Sequence, residues 1–129
     1  MILLNIDNMS CGHCQIKIKA ELEQNGFVIN KFDMLKNNVY IDSDYNNLHQ
    51  IIKLLDQINY SVNEDETLEL CQFTVWNSQL DNDQELDNFF NYLKDSSIEV
   101  NGFDEQDFGV IILCSEEQYI LVQEYLTSI

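Results

Sequence analysis

The chain has 129 residues, no proline and a formal net charge of −17, with 23 acidic residues against six basic ones. A surface of this sign repels phosphate backbones and anionic lipids, so nucleic acids and membrane surfaces are poor partners. No apolar stretch reaches the 18 residues of a membrane span, and the N-terminus lacks an export signal, so we expect a cytoplasmic protein. Its four cysteines would not form a disulfide framework in that reducing compartment.

The first predicted elements frame a pair of cysteines. Alternating apolar residues predict a strand near residues 2 to 7, and apolar residues at helical spacing predict a helix near 12 to 25. Cys11 falls in the loop between them and Cys14 in the first helical turn. There the unpaired backbone N–H groups and the positive end of the helix dipole favour the thiolate, which is the form that binds metal.

The spacing of the two thiols indicates a site for a soft metal ion. Two thiolates can give a two-coordinate site that suits Cu(I), whereas structural zinc takes four ligands and catalytic zinc three plus water. Zn, Hg and Cd remain alternatives to Cu(I). His13 stands between the cysteines on a tight turn, so we expect it to point outward and act from outside the metal's ligand set, direct ligation being the alternative. Met9 carries a soft thioether sulfur and is a further candidate near the metal.

The rest of the first half continues a regular alternation of elements. We predict strands near 27 to 35 and 38 to 43, a helix near 46 to 58 and a short strand near 61 to 65. Met9, Cys11 and Cys14 form the pattern M-x-C-x-x-C, Ile18 and Leu22 follow in the helix, and Ile58-Asn59-Tyr60 stands near the end of the unit. In these residues the chain resembles, over residues 1 to 65, the heavy-metal-associated domain, the family of small copper chaperones and of the cytosolic modules on copper-pumping ATPases.

The resemblance implies a ferredoxin-like βαββαβ fold and a chaperone that is not an enzyme. It would carry copper on Cys11 and Cys14 and pass it to a copper-transporting ATPase or another thiolate acceptor protein. The family's Met points inward and pins the loop to the core, which argues against ligation by Met9. Tyr60 either faces the metal site, as in bacterial copper chaperones, or packs at a helix end.

Asn8 departs from the pattern of the resembled family in the metal loop, and Ser10 bears on the choice of metal. Asn8 replaces the usual Gly before the Met, and Asn tolerates the positive φ that the loop needs. Family members that favour zinc tend to carry an acidic residue just before the first Cys. Ser10 stands there in this chain, which favours copper.

Two other functions fit the same motif. Cys-Gly-His-Cys is also the active site of a family of thiol-disulfide oxidoreductases, but those proteins need a proline facing the disulfide, and this chain has none. A metal-responsive interaction or sensor protein, in which copper binding alters how the acidic half docks with something else, is the other alternative. A carrier would give copper to an acceptor domain, whereas a sensor would keep it and change partner.

The second half repeats the predicted order of strands and helices of the first half but lacks its metal motif. Residues 1 to 65 hold five Lys against nine acidic residues, net −4, and residues 66 to 129 hold one Lys against fourteen, net −13. We predict strands near 69 to 77, 97 to 103 and 108 to 114, and helices near 82 to 95 and 116 to 128, the last opening on a capping box of Ser115 and Gln118. Each element lies about 70 residues after its counterpart.

We therefore expect two domains, a heavy-metal-associated domain at 1–65 and an acidic ferredoxin-like domain at 66–129 that lacks its last strand and the metal motif. Cys71 and Cys114 should be neighbours in its sheet, either as buried core thiols or as an auxiliary metal or disulfide pair. Trp76 should lie on the opposite face and cover an interface. The missing strand leaves the strand near 69 to 77 at an edge, where the first unit, a partner or a second copy in a homodimer could cover it.

Overall fold

Antiparallel sheets and four helices give the chain an α+β structure, which confirms the predicted class. The computed structural model describes residues 1–9, 11–106 and 108–129. In chain order the elements are β1 (Ile2–Asn5), α1 (Gly12–Gln24), β2 (Val28–Asp33), β3 (Asn38–Asp42), α2 (Leu48–Gln57), β4 (Leu68–Glu69), β5 (Cys71–Val75), α3 (Asp83–Asp95), β6 (Glu99–Asp104), β7 (Gly109–Cys114) and α4 (Glu116–Ser128). Within these described ranges, no helix combines the length and apolar character needed to cross a membrane.

The chain divides into two compact units, residues 1–69 and 70–129. The first unit has one sheet of order β2-β3-β1-β4, with β1 between β3 and β4. Because side chains alternate along a strand, β1 turns one set of apolar residues toward α1 and α2. The resulting core is fully buried and includes Ile2, Leu4, Ile6, Ile18, Leu22, Ile41, Ile51 and Leu55.

The end of the first unit differs from the prediction of a strand near 61 to 65. A single bridge joins Val62 to Ile6, a 3-10 turn follows at Glu64–Glu66, and the fourth strand is β4, which pairs with the start of β1. The buried Thr67 hydroxyl accepts a hydrogen bond from the backbone N–H of Asn5, at 3.2 Å, and stabilises this connection. The structural unit therefore ends at Glu69, four residues beyond the expected boundary at 65, because a two-residue strand shows no alternation in the sequence.

The second unit has a three-stranded sheet of order β5-β7-β6, which α3 and α4 help to cover. Its core includes Phe89, Leu93, Val110, Ile112, Val122 and Leu126. The predicted capping box at the start of α4 is present, since the Ser115 hydroxyl accepts from the Gln118 N–H and the Ser115 N–H donates to the Gln118 side chain. In the described part of the chain β5 pairs with β7 alone and so lies at an edge of the sheet, as expected.

Candidate metal centre

Cys11 and Cys14 lie together at the N-terminus of α1. Cys11 is the N-cap residue with an extended backbone, and Cys14 is in the first turn, where its N–H donates to the Cys11 carbonyl at 3.1 Å. The two Sγ atoms are 2.8 Å apart. The Cys11 side chain is exposed and Cys14 is only 9% exposed. One thiol of the pair is thus open to an incoming ligand while the other is held inside.

Asn8, before the cysteines, has the backbone conformation that the sequence indicates. Asn8 has φ of 64°, a left-handed conformation that Asn adopts more readily than most residues with a side chain. Its carbonyl accepts a weak hydrogen bond from the Cys14 thiol, with a sulfur–oxygen distance of 3.8 Å. This contact could not be predicted from residue types, because every residue has a carbonyl. Ser10, on which the preference for copper over zinc rests, lies outside the described residues.

Met9 lies in the core of the first unit. Its side chain is 0% exposed and packs in the same apolar cluster as Ile6 and Ile18. The inward orientation is the one that the resemblance to the metal-binding family implies. A side chain in this place fixes the loop to the sheet and helix beneath it, and so helps to set the positions of the two thiols that follow.

Tyr60 combines the two roles that the sequence left open. It follows α2, is only 8% exposed, and its N–H closes the helix end by donating to the Leu55 carbonyl at 2.9 Å. Its hydroxyl also forms a hydrogen bond with the Cys14 side chain. This bond, together with burial and the nearby charge of Cys14 and Cys11, raises the pKa of Tyr60 to about 12. A phenol with so high a pKa stays protonated at neutral pH and donates to sulfur. His13 is exposed on the first turn of α1.

The two sulfur atoms are too close together to bind one ion without moving apart. Metal–thiolate bonds are about 2.3 Å long, so two sulfurs on one ion are roughly 3.8 Å apart at a tetrahedral angle and ~4.6 Å apart in a linear site. The present 2.8 Å separation must therefore widen by about 1 to 2 Å on binding. Cys11 is the exposed partner and Cys14 the buried one, so we expect Cys11 to move.

The metal donors at this turn are few. Within the residues that the structure describes, no three or more His, Cys, Asp or Glu side chains come together in a way that could hold a metal ion. The site is thus the thiol pair, with the Tyr60 hydroxyl beside it. Such a donor set is poor for structural zinc and suits a soft ion of low coordination number.

The other two cysteines form a second pair in a different environment. Cys71 and Cys114 lie directly opposite each other on β5 and β7, so they are neighbours, as the alternation predicts. Cys114 is completely buried, and burial, followed by the nearby charge of Cys71, raises the pKa of its thiol to about 11. The thiol form is therefore favoured, and it is the poorer metal ligand. At the position of the metal loop the second unit has Asn77, whose side chain caps a 3-10 turn.

Comparison with known proteins adds no relative to this description, since no protein-family model, curated protein or solved structure matches the chain. The resemblance to the heavy-metal-associated domain therefore depends on residues of this chain alone. Of those residues, Met9, Cys11 and Cys14 lie at or next to the turn before α1, and Tyr60, which follows α2, contacts Cys14.

Proposed function

We propose that the first unit is a ferredoxin-like heavy-metal-associated domain that binds one Cu(I) ion through Cys11 and Cys14. Three observations support this. The sheet order β2-β3-β1-β4, with two helices contributing to one core, is the arrangement that a βαββαβ unit of this kind adopts. The M-x-C-x-x-C motif lies at the turn from β1 to α1, and the thiols are adjacent there. The donor set suits a two-coordinate soft ion.

The asymmetry of the pair supports a carrier rather than a storage site, and it is the observation on which the proposal chiefly rests. Cys14 is buried and bonded to the Asn8 carbonyl and the Tyr60 hydroxyl, whereas Cys11 is exposed. A two-coordinate ion at such an edge leaves room for a third sulfur. Copper would pass through a three-coordinate intermediate in which a thiolate of the acceptor enters and Cys11 leaves first. The acceptor is a copper-transporting ATPase or another protein with its own thiolate pair.

The exchange makes and breaks metal–sulfur bonds only, so the proposed protein is a copper chaperone and not an enzyme. Neither the thiols nor the copper ion changes oxidation state during transfer. The thiols must be reduced at the start, because a disulfide between Cys11 and Cys14 would remove both ligands. The reducing conditions of the cytoplasm supply this state.

Metal binding by matched variants tests the proposal. The protein is prepared under reducing, oxygen-free conditions, loaded with Cu(I), and titrated with a chromophoric Cu(I) chelator that competes for the ion. We expect one Cu(I) per monomer and loss of tight binding in Cys11→Ser and in Cys14→Ser. The double variant Cys71→Ser with Cys114→Ser is the matched control, and it should bind as the unaltered protein does.

The carrier role needs a second measurement. The loaded protein is mixed with a purified acceptor domain that has its own cysteine pair, the two are separated, and copper is measured in each. A carrier gives up its copper on mixing, faster than copper dissociates in the absence of the acceptor. Retention of the copper would contradict the carrier role, and equal loss of binding in the control double variant would contradict the site.

A further inference from the structure

The second unit contains an aromatic cavity that the proposed copper chemistry does not use. It has a volume of about 240 Å³, and its lining residues are Trp76, Phe103, Asp104, Glu105, Phe108 and Gly109. These residues come from the end of β5 and from the hairpin that joins β6 to β7. Phe103 is 61% exposed and Phe108 is 66% exposed. Two large aromatic side chains are therefore exposed to solvent, although their burial would stabilise the folded unit.

The aromatic rings of the cavity contact their neighbours edge to face and do not stack on them. Trp76 and Phe108 meet edge to face, with centroids 5.5 Å apart and planes at 86°. Phe103 is fixed in the same way by Phe90 behind it, at 6.2 Å and 86°. Trp76, Phe103 and Phe108 line one cavity, and the face of an aromatic ring carries the negative part of its quadrupole. A cavity of this kind attracts positive charge.

One residue of the cavity has an unfavourable backbone conformation. Phe108 has φ of 52°, a left-handed conformation that is uncommon for a bulky side chain. Gly109 follows it at a place where no side chain fits, because a Cβ there would lie 2.7 Å from the Thr74 methyl carbon and 3.0 Å from the Val75 carbonyl oxygen. The close approach of β7 to β5 at Gly109 brings Phe108 beside Trp76. Two unusual backbone positions thus serve one cavity.

Charge indicates the sign of the ligand. Asp104 and Glu105 are among the residues around the cavity, and none of the lining residues that the structure describes is cationic. Residues 66–129 hold fourteen acidic residues and a single basic one, Lys94 on α3. The field of the unit therefore concentrates cations at its surface. This field attracts a cationic ligand and repels an anionic one.

We propose that this cavity, lined by Trp76, Phe103 and Phe108 with Asp104 and Glu105 beside them, binds an alkylammonium group. The rings contact the alkyl groups and attract the charge by cation–π interaction, and the carboxylates neutralise it. The volume lies below the roughly 300–1,000 Å³ of pockets that take drug-sized ligands, so the cavity suits a single headgroup. Free choline and the trimethyllysine side chain of a protein carry the same group, and the two sources are separated in the experiment.

The only tryptophan of the chain lies in the cavity wall, so its fluorescence reports binding in the intact protein. The protein is titrated with choline, with 3,3-dimethylbutanol as the neutral analogue of the same shape, and with sodium chloride at matched ionic strength. We expect a saturable change with choline and none with the other two. A peptide with trimethyllysine that binds more tightly than choline identifies a protein as the source, and the reverse order identifies a small molecule. Both orders uphold the ammonium site.

Matched variants test which residues bind the group. Phe103→Leu keeps an apolar side chain but removes a ring, and it should weaken choline binding between about 3-fold and 30-fold. Glu105→Gln should weaken it as well, whereas Glu117→Gln, a carboxylate of the same unit outside the cavity, should leave it unchanged. Circular dichroism checks that each variant is folded. Equal binding of the neutral analogue, absence of any saturable change, or unaltered binding in folded Phe103→Leu would each overturn the proposal.

Discussion

Substitution of Met9 distinguishes between two roles of its side chain, packing in the core and binding the metal. Met9 is 0% exposed in the core of a unit of 69 residues, and a unit of that size is stable by about 3 to 10 kcal/mol. Met9→Ala removes three buried heavy atoms and leaves a cavity, which typically costs about 2 to 5 kcal/mol. Met9→Leu keeps most of the volume and should cost less than about 1.5 kcal/mol. The alanine variant should thus lose a large share of the stability and the leucine variant little.

Urea denaturation followed by circular dichroism measures the stability of each variant, and chelator competition measures its copper affinity. Met34→Ala is the matched control, because Met34 is only partly buried against the same core and its truncation should cost less than that of Met9. We expect Met9→Leu to bind copper as the unaltered protein does. A folded Met9→Leu variant that lost copper as completely as Cys11→Ser would show that the thioether is a ligand and that the packing argument is wrong.

Three more predictions concern the second unit. Gly109→Ala should destabilise it by about 1 to 3 kcal/mol through overpacking, whereas Gly12→Ala, whose Cβ meets nothing within 4 Å, should be neutral or slightly stabilising in the same urea denaturation assay. Because the pKa of the Cys114 thiol is raised to about 11 in the folded state, the unfolded chain loses that proton first. Stability should then fall between about pH 9 and 11, by at most roughly 1.4 kcal/mol per pH unit, and less steeply in Cys114→Ala. An element that covers the edge of β5 protects its outward N–H groups, so we expect slow amide exchange at residues 70 to 76, with a homodimer in light scattering if the cover is a second copy. Fast exchange there in a monomer would contradict covering of that edge.

Most of the element plan could be predicted because it depends on local patterns. The helix near 82 to 95 and the Ser115 capping box each depend on residues a few positions apart, and both are present in the structure. The opposition of Cys71 and Cys114 was also predictable, since it follows from strand alternation once the order of the strands is assumed. Each of these features needs only the period of a helix or strand.

The features that could not be predicted depend on contacts between distant residues. β4 is two residues long, and what fixes it is pairing with β1 and the Thr67 hydroxyl bonded to Asn5, 62 positions away. The contact between Tyr60 and Cys14 also joins distant residues, and the sequence suggested it only through family resemblance. A local pattern predicts which face a residue takes, but not which partner it meets.

The two units place their candidate chemistry at the same end of a similar sheet. In the first, Asn5 at the end of β1 lies opposite Asn38 at the start of β3, and the thiol turn follows directly. In the second, Val75 at the end of β5 lies opposite Val110 near the start of β7, and the aromatic cavity forms there. At this end a strand terminus, a helix start and a hairpin meet, so a few loop residues can be changed without disturbing the core. A sheet edge of this kind can then present thiols in one unit and aromatic rings in the other.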